Sequence, residues 1–112
     1  MGLTRDQILQ AKNPKPIKVE VPEWGGDVYI RSMSSKQRDD YEADAAKGID
    51  RKNFRARMVA MTACDEEGNL LFTEEDIEAL AEKDCKPMSR LLSIALDLNS
   101  FNEEDVVSLE KN

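Results

Sequence analysis

Apolar and polar residues alternate over residues 17–21, and a second short run rich in apolar residues follows at 28–31, with proline and glycine between the two. A period of two is typical of a β-strand that buries one face. Trp24 and the two glycines after it supply a turn. The pattern therefore predicts one β-hairpin over about residues 17–31, which must pack on other elements because a lone hairpin is marginally stable.

The rest of the chain is dominated by helical patterns that begin at capping residues. Thr4 and Ser34 are each followed three positions later by glutamine, which is the spacing of a capping box. Apolar residues at helical spacing lie between such caps and the next glycine or proline. The predicted helices cover about residues 5–11, 35–46, 51–64, 74–83, 87–98 and 103–109. We predict a mainly α protein of the α+β class, a compact bundle of five to six helices with the N-terminal hairpin.

Composition supports one globular domain spanning residues 1–112. Hydrophobic residues make up 40% of the chain, which is enough for a modest core and too many for a disordered segment. Every apolar run falls short of the roughly 20 residues that a membrane-spanning helix requires. The first residues also lack the apolar core of a secretory signal. We expect a protein without a membrane partner that stays in the cytoplasm of the cell that makes it.

The net charge of −7 is distributed unevenly along the chain. Residues 1–60 contain 12 Lys and Arg against 9 Asp and Glu, whereas residues 61–112 contain 4 against 14. The halves therefore carry +3 and −10, which disfavours nucleic acid as a partner of the whole chain. The split suits head-to-tail contact between copies. Two independently solvated faces would produce the same split, so both interpretations stay open.

The residue types used most often in catalytic and metal sites are scarce. The chain contains no histidine, and Cys64 and Cys85 are too far apart for a zinc motif. We expect both cysteines to be reduced, semi-buried thiols within helices. Residues 65–69 resemble a calcium loop, but glycine in its sixth position would place Ala63 first, without a carboxylate. We therefore expect a turn there, no metal, no cofactor and no enzymatic activity.

Six segments together resemble one family of proteins. They are LTRDQIL at residues 3–9, VEVPEWG at 19–25, VYIR at 28–31, RDDYE at 38–42, DEEGNLLFTEED at 65–76 and NEEDV at 102–106. In this order and spacing they resemble the tail assembly chaperones of long-tailed bacteriophages and prophages. The resemblance covers nearly the whole chain, and it consists of short sequence segments without a catalytic signature.

The resemblance implies a specific role. Such chaperones coat the aggregation-prone tape measure protein in the cytoplasm of the infected host, help tail tube subunits assemble around it, and are absent from the mature virion. They often form homo-oligomers, for which we expect a ring or a spiral here. Many are also made in a longer, frameshifted form. Residues 110–112 can be encoded as GAA-AAA-AAC, which contains a slippery heptamer, and we hypothesise that this chain is a short form.

Binding to long apolar helices requires an adaptable apolar surface, and methionine supplies one. The candidate partner-binding residues are Trp24, Phe54, Met58, Met61, Met88, Leu91, Leu92 and Phe101. We expect Trp24 and Phe101 to be partly exposed, because one lies in a turn and the other follows a helix break. The helical candidates have an alternative role in the core, since a domain of this size needs most of its apolar residues there.

Two other functions fit part of the pattern. A small virion structural protein, such as a head–tail connector or a tail completion subunit, is the first alternative. The second is an acidic inhibitor that mimics DNA, which fits poorly because residues 51–57 are basic. Detection of the protein in purified particles would favour the structural protein.

Overall fold

The architecture combines a small antiparallel sheet with helices packed on it. A computed structural model describes residues 1–47 and 52–99. Within these residues the strands are β1 (Ile17–Val21), β2 (Gly26–Ile30) and β3 (Ala63–Cys64), in the order β1-β2-β3. The helices are α1 (Arg5–Gln10), α2 (Ser35–Ala46), α3 (Phe54–Thr62), α4 (Ile77–Ala81) and α5 (Cys85–Leu98), and 3-10 turns occupy Pro22–Trp24 and Glu74–Asp76. The fold is therefore mixed α+β, and its helix count and hairpin agree with the prediction.

The hairpin forms where the alternating pattern predicts it. β1 pairs antiparallel with β2, with Val19 opposite Val28. Val19, Val21 and Ile30 are buried, whereas the intervening Lys18 and Glu20 are exposed. One face of the sheet therefore faces the core, as a period of two requires.

The third strand corrects the sequence-based prediction, which continued a helix to residue 64. Helix α3 ends at Thr62, and Ala63 and Cys64 pair with Ile30 and Tyr29 of β2. The Thr62 hydroxyl donates to the Met58 carbonyl at 2.9 Å, while the Thr62 carbonyl accepts the Arg31 N–H at 2.9 Å. The chain leaves the helix here because β2 has an open edge that offers hydrogen bonds.

The prediction of two semi-buried cysteines within helices is correct only for the helical position of Cys85. Cys64 lies in β3 and is buried, while Cys85 begins α5 and is exposed. Both are free thiols. Burial raises the pKa of the Cys64 thiol, which favours its neutral form.

The core lies between the inner face of the sheet and helices α3, α4 and α5. Its largest fully buried aliphatic side chains come from separate elements: Val21 and Ile30 from the sheet, Met58 and Val59 from α3, and Leu91 from α5. The sheet is thus part of the core. The prediction of a helical bundle with an attached hairpin understated this contribution.

Several predicted helix starts are confirmed by their capping bonds. The Gln7 N–H donates to Thr4 Oγ1 at 3.2 Å, and the Gln37 N–H donates to Ser34 Oγ at 3.1 Å. The Thr73 N–H likewise donates to Asp76 Oδ2 at 2.8 Å. These bonds satisfy amide groups that helical starts leave without partners.

Other helix boundaries differ from the predicted ones. Helix α3 begins at Phe54, not at residue 51, because Asn53 adopts the left-handed conformation with φ of 64°. Helix α5 begins two residues before Pro87, where the Asp84 side chain accepts the Lys86 N–H. The helix predicted over 74–83 is a 3-10 turn followed by the short α4. The predicted helix at 103–109 lies outside the described residues.

Contacts between residues far apart in the sequence hold α2, α5 and the hairpin together. Glu23 in the hairpin turn accepts two hydrogen bonds from Arg90 of α5, at 2.8 and 2.7 Å. At the other end of α5, the Asn99 carboxamide oxygen accepts the Met33 N–H at 2.6 Å, and the Asn99 carbonyl accepts a bond from Arg38 of α2 at 2.9 Å.

Candidate partner-binding groove

Half of the predicted partner-binding residues are core residues. Met58 and Leu91 are fully buried, and Met88 and Leu92 retain only 3% and 8% of their exposure. The expectation that these four side chains form an adaptable binding face is therefore wrong for this fold. They fill the space between the sheet and α3–α5, and a partner could not contact them unless the core opened.

The other four candidates are dispersed. Trp24 is 40% exposed in the turn of the hairpin, which confirms its predicted partial exposure. Phe54 and Met61 are half-buried and pack against the core. Phe54 borders a depression of about 360 Å³ beside Leu80 and Met88, whereas Met61 lines a different groove. Phe101 lies outside the described residues. The structure therefore does not join the predicted residues into one site.

A groove of about 340 Å³ lies between α2, α3 and residues 70–77. Its apolar lining comes from Tyr41, Ala60, Met61, Leu70, Phe72 and Ile77, and its polar lining comes from Gln37, Asp40, Asp44, Arg57, Thr73 and Glu74. We call it the α2/α3 groove. Its apolar floor and polar rim are the arrangement expected of a surface that accepts an amphipathic helix.

Gln37 positions helix α2 beside α3. Its carboxamide oxygen accepts the Ser34 N–H at 2.9 Å and an Arg31 guanidinium N–H at 3.1 Å. Its amide nitrogen donates to the Met61 carbonyl at 3.3 Å. One side chain therefore caps α2 and fixes it to the end of α3. This contact sets one wall of the α2/α3 groove.

The other wall depends on the chain that follows the turn at 65–69. The Leu71 N–H donates to the Ala63 carbonyl at 3.1 Å, and Leu70 bridges Cys64. Residues 70–72 thus run along β3 in an extended conformation. Since alternate residues of an extended segment face the same side, Leu70 and Phe72 both line the groove and Leu71 does not.

The turn itself is held by a carboxylate. Asp65 Oδ1 accepts the N–H groups of Glu67 and Asn69 at 3.0 and 2.9 Å. These hydrogen bonds hold the pKa of the Asp65 carboxyl below its usual range. Gly68 adopts φ of 92°, which L side chains rarely adopt. The predicted turn is thereby confirmed. Asp65 Oδ1 accepts the two backbone N–H groups, and Asp65 Oδ2 accepts the side-chain amide of Asn69 at 3.2 Å.

The rim of the α2/α3 groove is acidic. Three carboxylates, from Asp40, Asp44 and Glu74, line it together with one cation, Arg57. Arg57 pairs with Glu74 at 2.9 Å, and Lys36 beside the groove pairs with Asp40 at 2.8 Å. The lining residues therefore sum to −2, and to −1 when Lys36 is included, which favours partners with basic groups beside their apolar side chains.

Over residues 1–47 and 52–99, His, Cys, Asp and Glu side chains form no cluster of three or more that could hold a metal ion. In the same residues no helix has both the length and the apolar character needed to cross a bilayer.

Sequence reasoning missed the residues that build the α2/α3 groove, apart from Met61. Tyr41 is the single large apolar residue of α2, and it is buried at the groove. Leu70 and Phe72 belong to the apolar run Leu-Leu-Phe at residues 70–72. In both segments these apolar residues stand out in the sequence. The pairing of these two distant segments depends on α3 lying between them.

Comparison with known proteins agrees with the resemblance found in the sequence. No curated protein sequence matches the chain. A solved structure, the tail assembly chaperone of bacteriophage HK97, matches with a TM-score of 0.57 and 28% sequence identity, over 88% of this chain and 95% of that one. The sequence profile of the family described as phage tail assembly chaperone matches residues 5–112. The chain therefore belongs to the phage tail assembly chaperone family.

Proposed function

We propose that this chaperone binds apolar helical segments of the tape measure protein in the α2/α3 groove and keeps that protein soluble. The observation that carries the proposal is the combination of an apolar floor with an acidic rim on an exposed surface. Exposed apolar stripes on a long helix cause aggregation unless another surface covers them. A groove of this kind covers them and presents charge to the solvent.

The floor has the chemistry needed to accept different side chains. Met61 is flexible and polarisable, and Phe72 offers an aromatic face; both are half-buried. Such a surface favours binding of many similar segments along one long protein over tight binding of a single sequence. The acidic rim opposes contact between coated complexes through repulsion.

The decisive variant places a charge on the groove floor. Leu70 is 38% exposed and lines the α2/α3 groove, so Leu70→Glu should weaken binding without disturbing the core. Leu71→Glu is the matched control, because Leu71 is 53% exposed and does not line the groove. Each variant is co-expressed with a tape measure fragment, and the soluble share of the fragment is measured.

We expect the wild type and Leu71→Glu to keep most of the fragment soluble, and Leu70→Glu to lose at least half of that effect. Equal solubility with both variants would refute the groove as the binding site. A fragment that precipitates equally with and without the wild-type protein would refute the chaperone role itself.

The wider role follows from the same proposal. We propose that the protein acts as a homo-oligomer in the host cytoplasm, promotes assembly of tail tube subunits around the coated tape measure protein, and leaves before the virion is complete. It acts by binding, without a catalytic step. Detection of the protein in purified particles would contradict its departure and favour a virion structural protein.

A further inference from the structure

The depression beside Phe54, of about 360 Å³, lies where helices α3 and α5 begin and α4 ends. We call it the Phe54 depression. Phe54 and Ala81 supply its accessible apolar surface, because the first is half-buried and the second is exposed. The lining also includes Leu80 and Met88, which belong to the core. The depression is thus an apolar surface that the described residues leave uncovered.

The rim of the Phe54 depression is basic, in contrast to that of the α2/α3 groove. Arg55 and Lys83 line it, and no carboxylate of residues 1–47 or 52–99 does, so its charged lining sums to +2. Both cations are exposed and belong to none of the ion pairs found over these residues. Glu82 and Asp84 flank Lys83 in the sequence but lie outside the lining. Two unpaired cations beside an apolar surface favour an acidic, apolar occupant.

Asn53 on the same rim has an unusual backbone conformation. Its φ of 64° lies in the left-handed region, which residues other than glycine adopt uncommonly. Strained positions of this kind are frequent at binding sites. The Asn53 side chain also makes no capping hydrogen bond to α3. Since the start of a helix favours negative charge, α3 adds to the preference for acidic groups that Arg55 and Lys83 create.

The chain itself contains a segment with the matching chemistry. Residues 100–112 read SFNEEDVVSLEKN, with three consecutive acidic residues directly before two valines, a serine and a leucine. Four acidic residues against one lysine give this segment a net charge of −3. Its carboxylates complement Arg55 and Lys83, and its aliphatic side chains complement Phe54. The segment and the depression therefore match in both charge and polarity.

The length of the chain permits contact within one copy. Helix α5 ends at Leu98, and its first residue, Cys85, lines the Phe54 depression. At 1.5 Å per residue, α5 is about 20 Å long. The residues 100–107 that follow span up to about 26 Å when extended. The segment after α5 is therefore long enough to return to the depression at the start of the same helix.

We propose that residues 103–109 dock in the Phe54 depression of their own copy, with their carboxylates beside Arg55 and Lys83 and their aliphatic side chains on Phe54. The docking removes apolar side chains of both surfaces from water. It also holds the segment after α5 beside the starts of α3 and α5. The Phe54 depression is separate from the α2/α3 groove, so the inference goes beyond the proposed function and does not depend on it.

Disulfide trapping in the full-length protein tests the docking, because Cys85 lines the depression and Cys64 is buried. Val107→Cys and Ser108→Cys are prepared separately, and each adds one thiol to the docking segment. An equal mixture of unlabelled and ¹⁵N-labelled protein is oxidised mildly, and the cross-linked peptides are identified by mass spectrometry. A disulfide within one copy joins two peptides of the same label, whereas a disulfide between copies also joins peptides of different label.

We expect at least one of the two variants to form a disulfide with Cys85 within one copy. Lys83→Glu, added to that variant, should slow the reaction by about fivefold or more, because it replaces attraction on the rim by repulsion. Lys86→Glu is the matched control, since it makes the same charge change next to Cys85 but does not line the depression. It should slow the reaction by less than about twofold, because charges exposed to solvent are screened.

Backbone NMR gives a second measurement that does not depend on disulfide geometry. Val107→Asp removes an aliphatic contact and should shift the amide signals of residues 54–56 and 80–85. Ser108→Asp adds the same charge without removing that contact and should shift them much less.

Four results would each overturn the docking. They are the absence of a disulfide with Cys85 in both cysteine variants, disulfides that form only between copies, equal slowing by Lys83→Glu and Lys86→Glu, and unchanged amide signals in Val107→Asp. Disulfides between copies would show that the segment of a second copy occupies the depression.

Discussion

Helices α1 and α5 begin with the same kind of side-chain cap, but one is exposed and the other is buried in the core. Each has a side chain that caps its first turn, Thr4 in one case and Asp84 in the other, and each carries aliphatic residues. Helix α5 buries Met88, Leu91 and Leu92 against the sheet and α3, whereas α1 exposes every residue. An apolar face therefore identifies a surface that needs a partner, but it does not say whether the partner lies in the same chain.

The physical difference lies in what surrounds each helix. Helix α5 follows α4 closely and passes between the hairpin turn and α2, so packed elements lie along its length. Helix α1 is followed by a proline-containing connection and has no such neighbours among the described residues. Burial of apolar area is the main favourable term in folding. Helix α5 should therefore contribute strongly to stability, and α1 very little.

The largest expected effect compares truncation of a leucine in each helix. Leu91→Ala should reduce the free energy of unfolding by about 2–5 kcal/mol, because it leaves a cavity in a fully buried site. Leu9→Ala removes the same atoms from a side chain that is 66% exposed and should change stability by less than about 0.5 kcal/mol. Urea unfolding at low protein concentration measures both. Similar losses would show that α1 packs on the body.

An intermediate effect compares two helix caps. Ser34→Ala should cost about 1 kcal/mol of global stability, because Ser34 caps α2 and α2 is joined to the body through Gln37. Thr4→Ala removes an equivalent cap from α1 and should lower only the local helix content. Thermal unfolding reports the first effect, and backbone NMR shifts of residues 5–10 report the second. A decrease in global stability from Thr4→Ala would contradict the conclusion that α1 does not pack on the rest of the fold.

The smallest expected effect concerns two ion pairs. Two hydrogen bonds from Arg90 lower the pKa of Glu23 from 4.5 to about 2. Because the folded-state pKa lies below the ordinary value, this pair stabilises the fold fully above pH 4.5 and loses its effect as the pH falls from 4.5 towards 2. Glu23→Gln should therefore lower stability slightly at pH 7 and flatten the acid-induced decrease.

Asp6→Asn is the control within α1. Its partner Arg5 and Asp6 itself are 81% and 76% exposed, and such pairs contribute little to stability. The dependence of the unfolding midpoint on pH should match the wild type between pH 2 and 7. If Glu23→Gln also left the pH dependence of the unfolding midpoint unchanged, the Glu23–Arg90 pair would not hold the hairpin turn to α5.

Local patterns were sufficient for much of the fold. The alternation over residues 17–21, the turn residues after it and the run at 28–31 predicted the hairpin, and the bounds 35–46 predicted for α2 match the structure. The capping boxes at Thr4 and Ser34 and the turn at Asp65 were also found from spacing. Each of these features depends on interactions between residues close in sequence, which a single sequence displays directly.

The site was much less accessible to prediction. The apolar spacing of α3 and α5 is the same whether their methionines and leucines face a partner or the core, and the core is where Met58, Met88, Leu91 and Leu92 lie. Among the members of the predicted set that the structure describes, Met61 alone lines the α2/α3 groove. The remaining groove residues come from segments that are distant along the chain.

Patterns along the chain were enough to identify the hairpin, α1 and α2, together with the lack of histidine, the charge of each segment and the segments that resemble the chaperone family. Tertiary structure alone decided that Ala63 and Cys64 form a third strand, that α5 is buried while α1 is exposed, and that α2 meets residues 70–72 across α3. Local interactions set backbone conformation, whereas burial depends on which distant surfaces pack together. That packing is a property of the whole chain.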